Sequence, residues 1–202
     1  MNSVCLHNGT VMTGFAAMER CAVLVEDGYV TDVFSTKRFS QKRFSPETQI
    51  IDVNEAIIAP GFIDTHIHGI GGWGTEDASS ESILEMSRLL VNYGVTAFNP
   101  TLYPAEPALM LRAVAEAAST IGRESGARIM GLHLEGPFIS RERLGVMKAE
   151  TVQNVDLTFM GKLCEAAGGK IVNMTVAPEL KGMRELALFC LKKGIILQAG
   201  HT

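Results

Sequence analysis

The sequence predicts an α/β fold: a β-rich segment over about residues 1–55, then alternating β and α units over 56–202. Two observations predict it. Asp27-Gly28 sits between two apolar runs, which is a strong hairpin signal. From Ala56 onward, short apolar runs alternate with stretches of helical pattern.

The elements follow in order. Val4-Cys5-Leu6 is a short apolar strand, and His7-Asn8-Gly9-Thr10 reads as a turn. Ala22 to Val25 and Tyr29 to Val33 flank the Asp-Gly turn as a hairpin. Ser35 to Gln49 is polar and basic and reads as a loop, and Ile50 to Val53 is a further short strand. The run Ile57 to Asp64 is an apolar strand interrupted by Pro60-Gly61. Ser79 to Asn92 is a helix, with Ser79 or Ser80 as N-cap and Gly94 past its end. Val95 to Phe98 is a strand and Ala105 to Ile121 an Ala-rich helix. Arg128 to Leu134 is the third strand of this region. Leu157 to Ala167 is helical, and Lys170 to Val176 is the fourth strand. Met183 to Lys193 is a helix ending at Gly194, and Ile195 to Ala199 is the fifth strand. Such alternation implies parallel strands with helical crossovers. It fits either a doubly wound open sheet or part of an eight-stranded barrel.

Composition narrows the function classes. The chain has 202 residues, 47% of them hydrophobic and 20% charged, which suits an ordinary globular core. The formal net charge is -4 with no basic block, so nucleic acid is not expected as a partner. Cys5, Cys21, Cys164 and Cys190 are scattered, with no C-x-x-C pair, and suggest neither a disulfide framework nor a zinc cluster. No signal-peptide pattern and no membrane-spanning apolar run is visible, so a reducing cytoplasm and no membrane are expected. The glycine-rich stretch 69–74 does not match G-x-G-x-x-G and reads as a loop rather than a dinucleotide site.

Three motifs carry candidate chemistry, each at a strand's carboxyl end. In Asp64-Thr65-His66-Ile67-His68 the two histidines lie two apart and point the same way on a strand. Paired neutral imidazoles suit zinc or iron; two unrelated surface histidines are the alternative. In His133-Leu134-Glu135-Gly136-Pro137 a carboxylate closes an apolar strand, where burial demands a partner, unless Glu135 merely caps the next helix. His201 follows the fifth strand. In a barrel these ends converge on one mouth, and His66, His68, Glu135 and His201 would form a ligand set for one or two divalent metals.

The segment Pro60-Gly61-Phe62-Ile63-Asp64-Thr65-His66-Ile67-His68-Gly69 resembles the opening signature of the amidohydrolase superfamily. Many members carry a carboxylated lysine after the fourth strand, but here Val176-Ala177-Pro178-Glu179 closes it. The stretch 133–138 matches instead the branch in which a glutamate takes that role. Together with Ala-Pro-Glu (177–179) and Ala-Gly-His-Thr (199–202), it makes the chain similar to the N-acetylglucosamine-6-phosphate deacetylase family. The resemblance implies a partial TIM-like (β/α) barrel of the metal-dependent hydrolase type. Residues 56–202 would be its first five βα units, and residues 1–55 the N-terminal part of a small β-sandwich. His66 and His68 match ligands of one metal position, Glu135 a ligand able to bridge two metals, and His201 a ligand of the other position. His133 is expected to support the strand end. The implied cofactor is a divalent metal, zinc or iron, as one or two ions. The implied partner is a small-molecule amino-sugar phosphate, deacetylated by a protein that is a homodimer when full length.

Two departures stand out. Where family members carry a histidine or glutamine that touches the sugar, this chain reads Leu144-Gly145-Val146-Met147, and a thioether cannot supply those hydrogen bonds. The family's catalytic aspartate follows an eighth strand, so no catalytic residue is assigned among these 202. The chain is therefore expected to be incomplete and inactive alone, with open edges on the first and fifth strands. Its inner face is expected to be partly uncovered and apolar. Another amide substrate, or an inactive metal-binding fragment, are the alternative readings.

Overall fold

The computed structural model describes residues 2–76 and 79–202 and separates into two compact units that divide between Pro60 and Gly61. The first unit is a mixed sheet. Its strands are β1 (Ser3–Met12), β2 (Ala17–Glu26), β3 (Tyr29–Ser35), β4 (Gln49–Asp52) and β5 (Ile57–Ile58). The order is β3-β2-β1-β4, with β5 also on β1; β1, β2 and β3 are antiparallel neighbours, and β4 and β5 run parallel to β1. Asp27 and Gly28 both have positive φ, 48° and 84°. That is the geometry of a two-residue hairpin turn whose twist matches its strands.

Two sequence expectations fail in this unit. Residues 7–10 are no turn but lie inside β1, where Asn8 has φ 61° and the pairing with β2 slips between Leu6 and Gly9. Asn tolerates the left-handed region, so a bulge carries the same residue signature as a turn. The loop after β3 begins with a short helix, α1 (Thr36–Phe39), whose Arg38 N–H donates to the Ser35 hydroxyl.

The second unit holds five parallel strand positions in chain order: β6 (Phe62–Ile67), β9 (Val95–Leu102), the broken strand β10 (Arg128–Ile129) with β11 (Leu132–Glu135), β12 (Ile171–Val176), and β13 (Ile196–Ala199). A small antiparallel pair, β7 (Gly69–Ile70) and β8 (Trp73–Gly74), follows β6. Helices α2 (Ser80–Leu90), α3 (Pro107–Thr120), α4 (Leu157–Ala166) and α5 (Met183–Lys193) alternate with the strands. A doubly wound sheet would reverse its strand order at a switch point. Here spatial order equals chain order among the described residues, so the sheet is an arc of a (β/α) barrel. β6 and β13 are its edges.

Local chemistry sets the helix ends. The Ser79 hydroxyl accepts from Ser82 N–H, and Gly94, φ 77°, closes the turn after α2. Glu106 caps α3 ahead of Pro107, its carboxylate accepting from Ala108 and Leu109, so this helix starts two residues later than Ala105. Asp156 caps α4 in the same way. The core lies between strands and helices: Phe98, Leu102, Leu132, Leu134, Met174 and Val176 pack with Ile83, Met86, Met110, Leu163 and Leu186.

The opposite side of the same strands differs between its centre and its margins: Ile63 of β6 and Ile196 of β13 are exposed, as expected of an uncovered apolar face, but the central strands are polar there. Asn99, Thr101, His133, Glu135, Asn173 and Thr175 are all buried there. Most of their polar atoms pair with one another, although Asn99 Oδ1 has no partner among the described residues. The Asn99 amide donates to Asn173 at 3.2 Å, and His133 sits between the hydroxyls of Thr101, at 3.2 Å, and Thr175, at 2.8 Å.

Candidate metal centre

Each side chain of the site reaches it from the carboxyl end of a strand. His66 is the penultimate residue of β6 and His68 lies just past its end; Glu135 is the last residue of β11; His201 follows β13 with φ 54°. The Glu135 carboxylate is the centre. Its Oε2 lies 3.0 Å from His68 Nε2, and its Oε1 lies 3.1 Å from His201 Nε2 and 3.4 Å from His66 Nε2. His66 Nε2 and His68 Nε2 are 3.2 Å apart. Atoms of His66, His68 and Glu135 all fall within 4.8 Å of one another. His201 stands outside that trio and meets it through the shared carboxylate.

The outer nitrogens decide what the inner ones can do. His68 Nδ1 lies 3.0 Å from the Thr101 carbonyl, and His201 Nδ1 lies 2.7 Å from the Arg143 carbonyl. A carbonyl only accepts, so each Nδ1 carries the hydrogen. In a neutral ring Nε2 then holds a lone pair, aimed at a carboxylate that also offers only lone pairs. That arrangement is repulsive unless positive charge enters it, as protons or as a metal cation. Imidazole nitrogens with a carboxylate, the rings oriented by backbone carbonyls, are a donor set suited to a divalent metal.

Electrostatics agree with the geometry. Burial alone would raise the Glu135 carboxyl, but His68 and His66, when protonated, outweigh it and hold the group below its ordinary value. His133 behaves differently. Burial, and then the neighbouring His66, push its pKa down to about 4 against the pull of Glu135. Both its nitrogens are taken by threonine hydroxyls, so it braces β11 between β9 and β12. Asp64 accepts the His66 N–H at 3.1 Å and so shapes the backbone at the end of β6.

Sequence reasoning missed two neighbours. The Tyr103 ring stacks on His68, with centroids 3.7 Å apart and planes 5° from parallel. The Thr101 carbonyl holds His68 and also accepts the Thr75 hydroxyl at 2.6 Å. Neither residue belongs to a motif, but both follow the apolar run of β9, at the strand end where barrel chemistry gathers. Beside His68, Tyr103, Glu76, Met147 and Lys148 line part of a groove of about 540 Å³. Burial, then Glu76 and Glu135, raise the Tyr103 hydroxyl above its ordinary pKa.

The model described as the amidohydrolase family matches residues 57–194. An N-acetylglucosamine-6-phosphate deacetylase of Bacillus subtilis is 36% identical over 152 residues, covering 73% of this chain and 38% of the relative. The deacetylase of that name from Homo sapiens is 35% identical over 159 residues, covering 75% and 38%. Among solved structures, an N-acetyl-D-glucosamine-6-phosphate deacetylase variant of Mycobacterium smegmatis, in complex with N-acetyl-D-glucosamine-6-phosphate, superposes with a TM-score of 0.87 at 27% identity. That match covers 100% of this chain and 50% of the other. The chain thus spans half or less of the length of these relatives.

Proposed function

Because this chain belongs to the amidohydrolase family, we propose that it carries the metal-binding half of a deacetylase. The reaction is hydrolysis of N-acetylglucosamine 6-phosphate to glucosamine 6-phosphate and acetate. The observation that carries this reading is the convergence of His66, His68 and His201 on Glu135, with the outer nitrogens of His68 and His201 tied to carbonyls. The similarity to deacetylases of that substrate supports it.

His66, His68 and Glu135 would hold one cation, and Glu135 with His201 would contribute to a second position, for zinc or iron. A divalent ion bound there supplies Lewis acidity, lowering the pKa of water and polarising an amide carbonyl. The protein's own groups do the rest. The Thr101 and Arg143 carbonyls fix the tautomers of His68 and His201, keeping both Nε2 lone pairs turned inward. The Tyr103 ring covers one face of His68 and limits water there. Among the five strand positions of the described residues, none carries the proton-transferring carboxylate that the resemblance places after an eighth strand. Assembly as a homodimer and a cytoplasmic location complete the proposal; no described helix is long and apolar enough to cross a membrane.

Met147 in the groove wall favours a second reading, hydrolysis of a different amide in the same site. Acetate release from N-acetylglucosamine 6-phosphate by the complete protein, against unphosphorylated N-acetylglucosamine and cyclic amides, separates the two. The proposal expects the phosphosugar to be preferred and Glu135→Gln to abolish turnover. Preference for a cyclic amide would replace the substrate while leaving the centre intact.

A further inference from the structure

Thr101 is bonded on both sides of its own backbone to the segment that bears two of the proposed ligands. Its hydroxyl accepts the Ile67 N–H at 3.0 Å, and Ile67 lies between His66 and His68. Its carbonyl accepts His68 Nδ1–H at 3.0 Å and the Thr75 hydroxyl at 2.6 Å. The same hydroxyl lies 3.2 Å from His133 Nδ1, and His133 in turn reaches Thr175 on β12. Thr101 is fully buried.

The end of β6 needs such a brace. The register of β6 on β9 slips between Asp64 and Ile67. Ile67 stands opposite Pro100, which has no N–H to give to the ladder. The ligand-bearing end of the strand is thus irregularly paired at the position where ring placement matters. The chain Thr175–His133–Thr101–Ile67 crosses from β12 to β6 and ties that end to the interior.

We propose that Thr101 is a positioning residue for the metal centre: through its hydroxyl it fixes the backbone between His66 and His68, and His133 anchors that hydroxyl. This rests on the reading of His66 and His68 as ligands. Outer-shell partners of metal ligands change metal affinity by about 10–100-fold when removed. Thr101→Val keeps the shape and the carbonyl and removes only the hydroxyl. Thr101→Ser restores the hydroxyl. Thr175→Val removes a hydroxyl of the same buried layer from the far side of His133, away from β6.

The test uses the complete protein loaded with zinc, with affinity read by competition with a chromophoric chelator, and with cobalt for its visible spectrum. Thr101→Val is expected to lose about tenfold or more in zinc affinity and to shift the cobalt bands. Thr101→Ser should stay within about threefold of wild type, and Thr175→Val, one link further from β6, should lose clearly less affinity than Thr101→Val. Equal losses in Thr101→Val and Thr175→Val, or none in Thr101→Val, would overturn the proposal. If instead the wild type binds no metal, and His68→Ala changes nothing, the ligand reading itself has failed. Amide exchange needs no variant: in the metal-loaded wild type the Ile67 N–H should exchange slowly although the ladder is broken opposite Pro100, and fast exchange would count against the brace.

Discussion

Between Phe98 and Leu102, neighbouring residues of one strand enter two different environments. Phe98 and Leu102 pack against the helices with Leu134, Met174 and Val176. Asn99 and Thr101 turn to the other side, among His133, Glu135, Asn173 and Thr175. Both sides are buried. The helix side gains stability by removing apolar area from water, at about 1.5–3 kcal/mol for each fully buried large side chain. The inner side must find partners for the polar groups it buries, and its net contribution per hydrogen bond is about 0.5–1.5 kcal/mol. Residue parity along the strand therefore separates the part that holds the fold from the part that faces the proposed metal centre. Substitutions on the two sides should fail in different ways.

The largest effect should come from the inner side, and on metal rather than on stability. Glu135→Gln keeps the volume but removes the charge on which three histidines converge. Metal affinity should fall by more than the roughly 10–100-fold that outer-shell changes cost. The chelator competition reads this directly, and retention of wild-type affinity would break the comparison. On the helix side, Phe98→Ala should cost about 3–5 kcal/mol in denaturant unfolding. Metal affinity of the protein that remains folded should hardly change. Asn173→Ala, on the inner side, should cost less. It strips partners from the Asn99 amide and from the Thr65 carbonyl, 3.5 Å away, and should cost about 1–3 kcal/mol in the same unfolding assay.

A smaller effect concerns thiol reactivity on the helix side. Burial, with a lesser push from Cys164, raises the Cys190 thiol to about 11. The folded pKa lies above the ordinary value, so at pH 8 the folded protein holds little thiolate at this position. Iodoacetamide labelling of Cys190, followed by mass spectrometry, should then proceed only as fast as the protein opens. Rapid labelling of the native state would show that this side is less tightly packed than its core residues indicate.

How far each side could be read from sequence follows from the same division. The helix side was legible because it rests on local periodicity and end signals. The helix Met183–Lys193, the Ser79 cap and the turn at Asp27-Gly28 all need only neighbours in the chain. Where a local signal has two physical meanings the reading failed, as at Asn8, whose positive φ serves a bulge inside β1. The inner side depends on approach between distant residues. His66, His68, Glu135 and His201 stood out because ligand residue types at strand ends are rare and chemically specific. Thr101 and Tyr103 did not, since a threonine becomes a brace and a tyrosine a cover only when His68 is brought beside them. The polar lining was missed for the same reason: Asn99 and Asn173 lie 74 residues apart and compensate each other only once the arc has formed.

The central claim is that positive charge in the form of a divalent metal belongs among His66, His68, Glu135 and His201. Anomalous diffraction from crystals of the zinc-loaded complete protein, recorded across the zinc absorption edge, tests it most directly. The account predicts a peak bonded to Glu135 and to His Nε2 atoms at about 2.0–2.2 Å, with the His68 and His201 Nδ1 atoms still on their carbonyls. A peak elsewhere, or none while the Nε2 atoms remain 3.0–3.4 Å from the carboxylate, would contradict it.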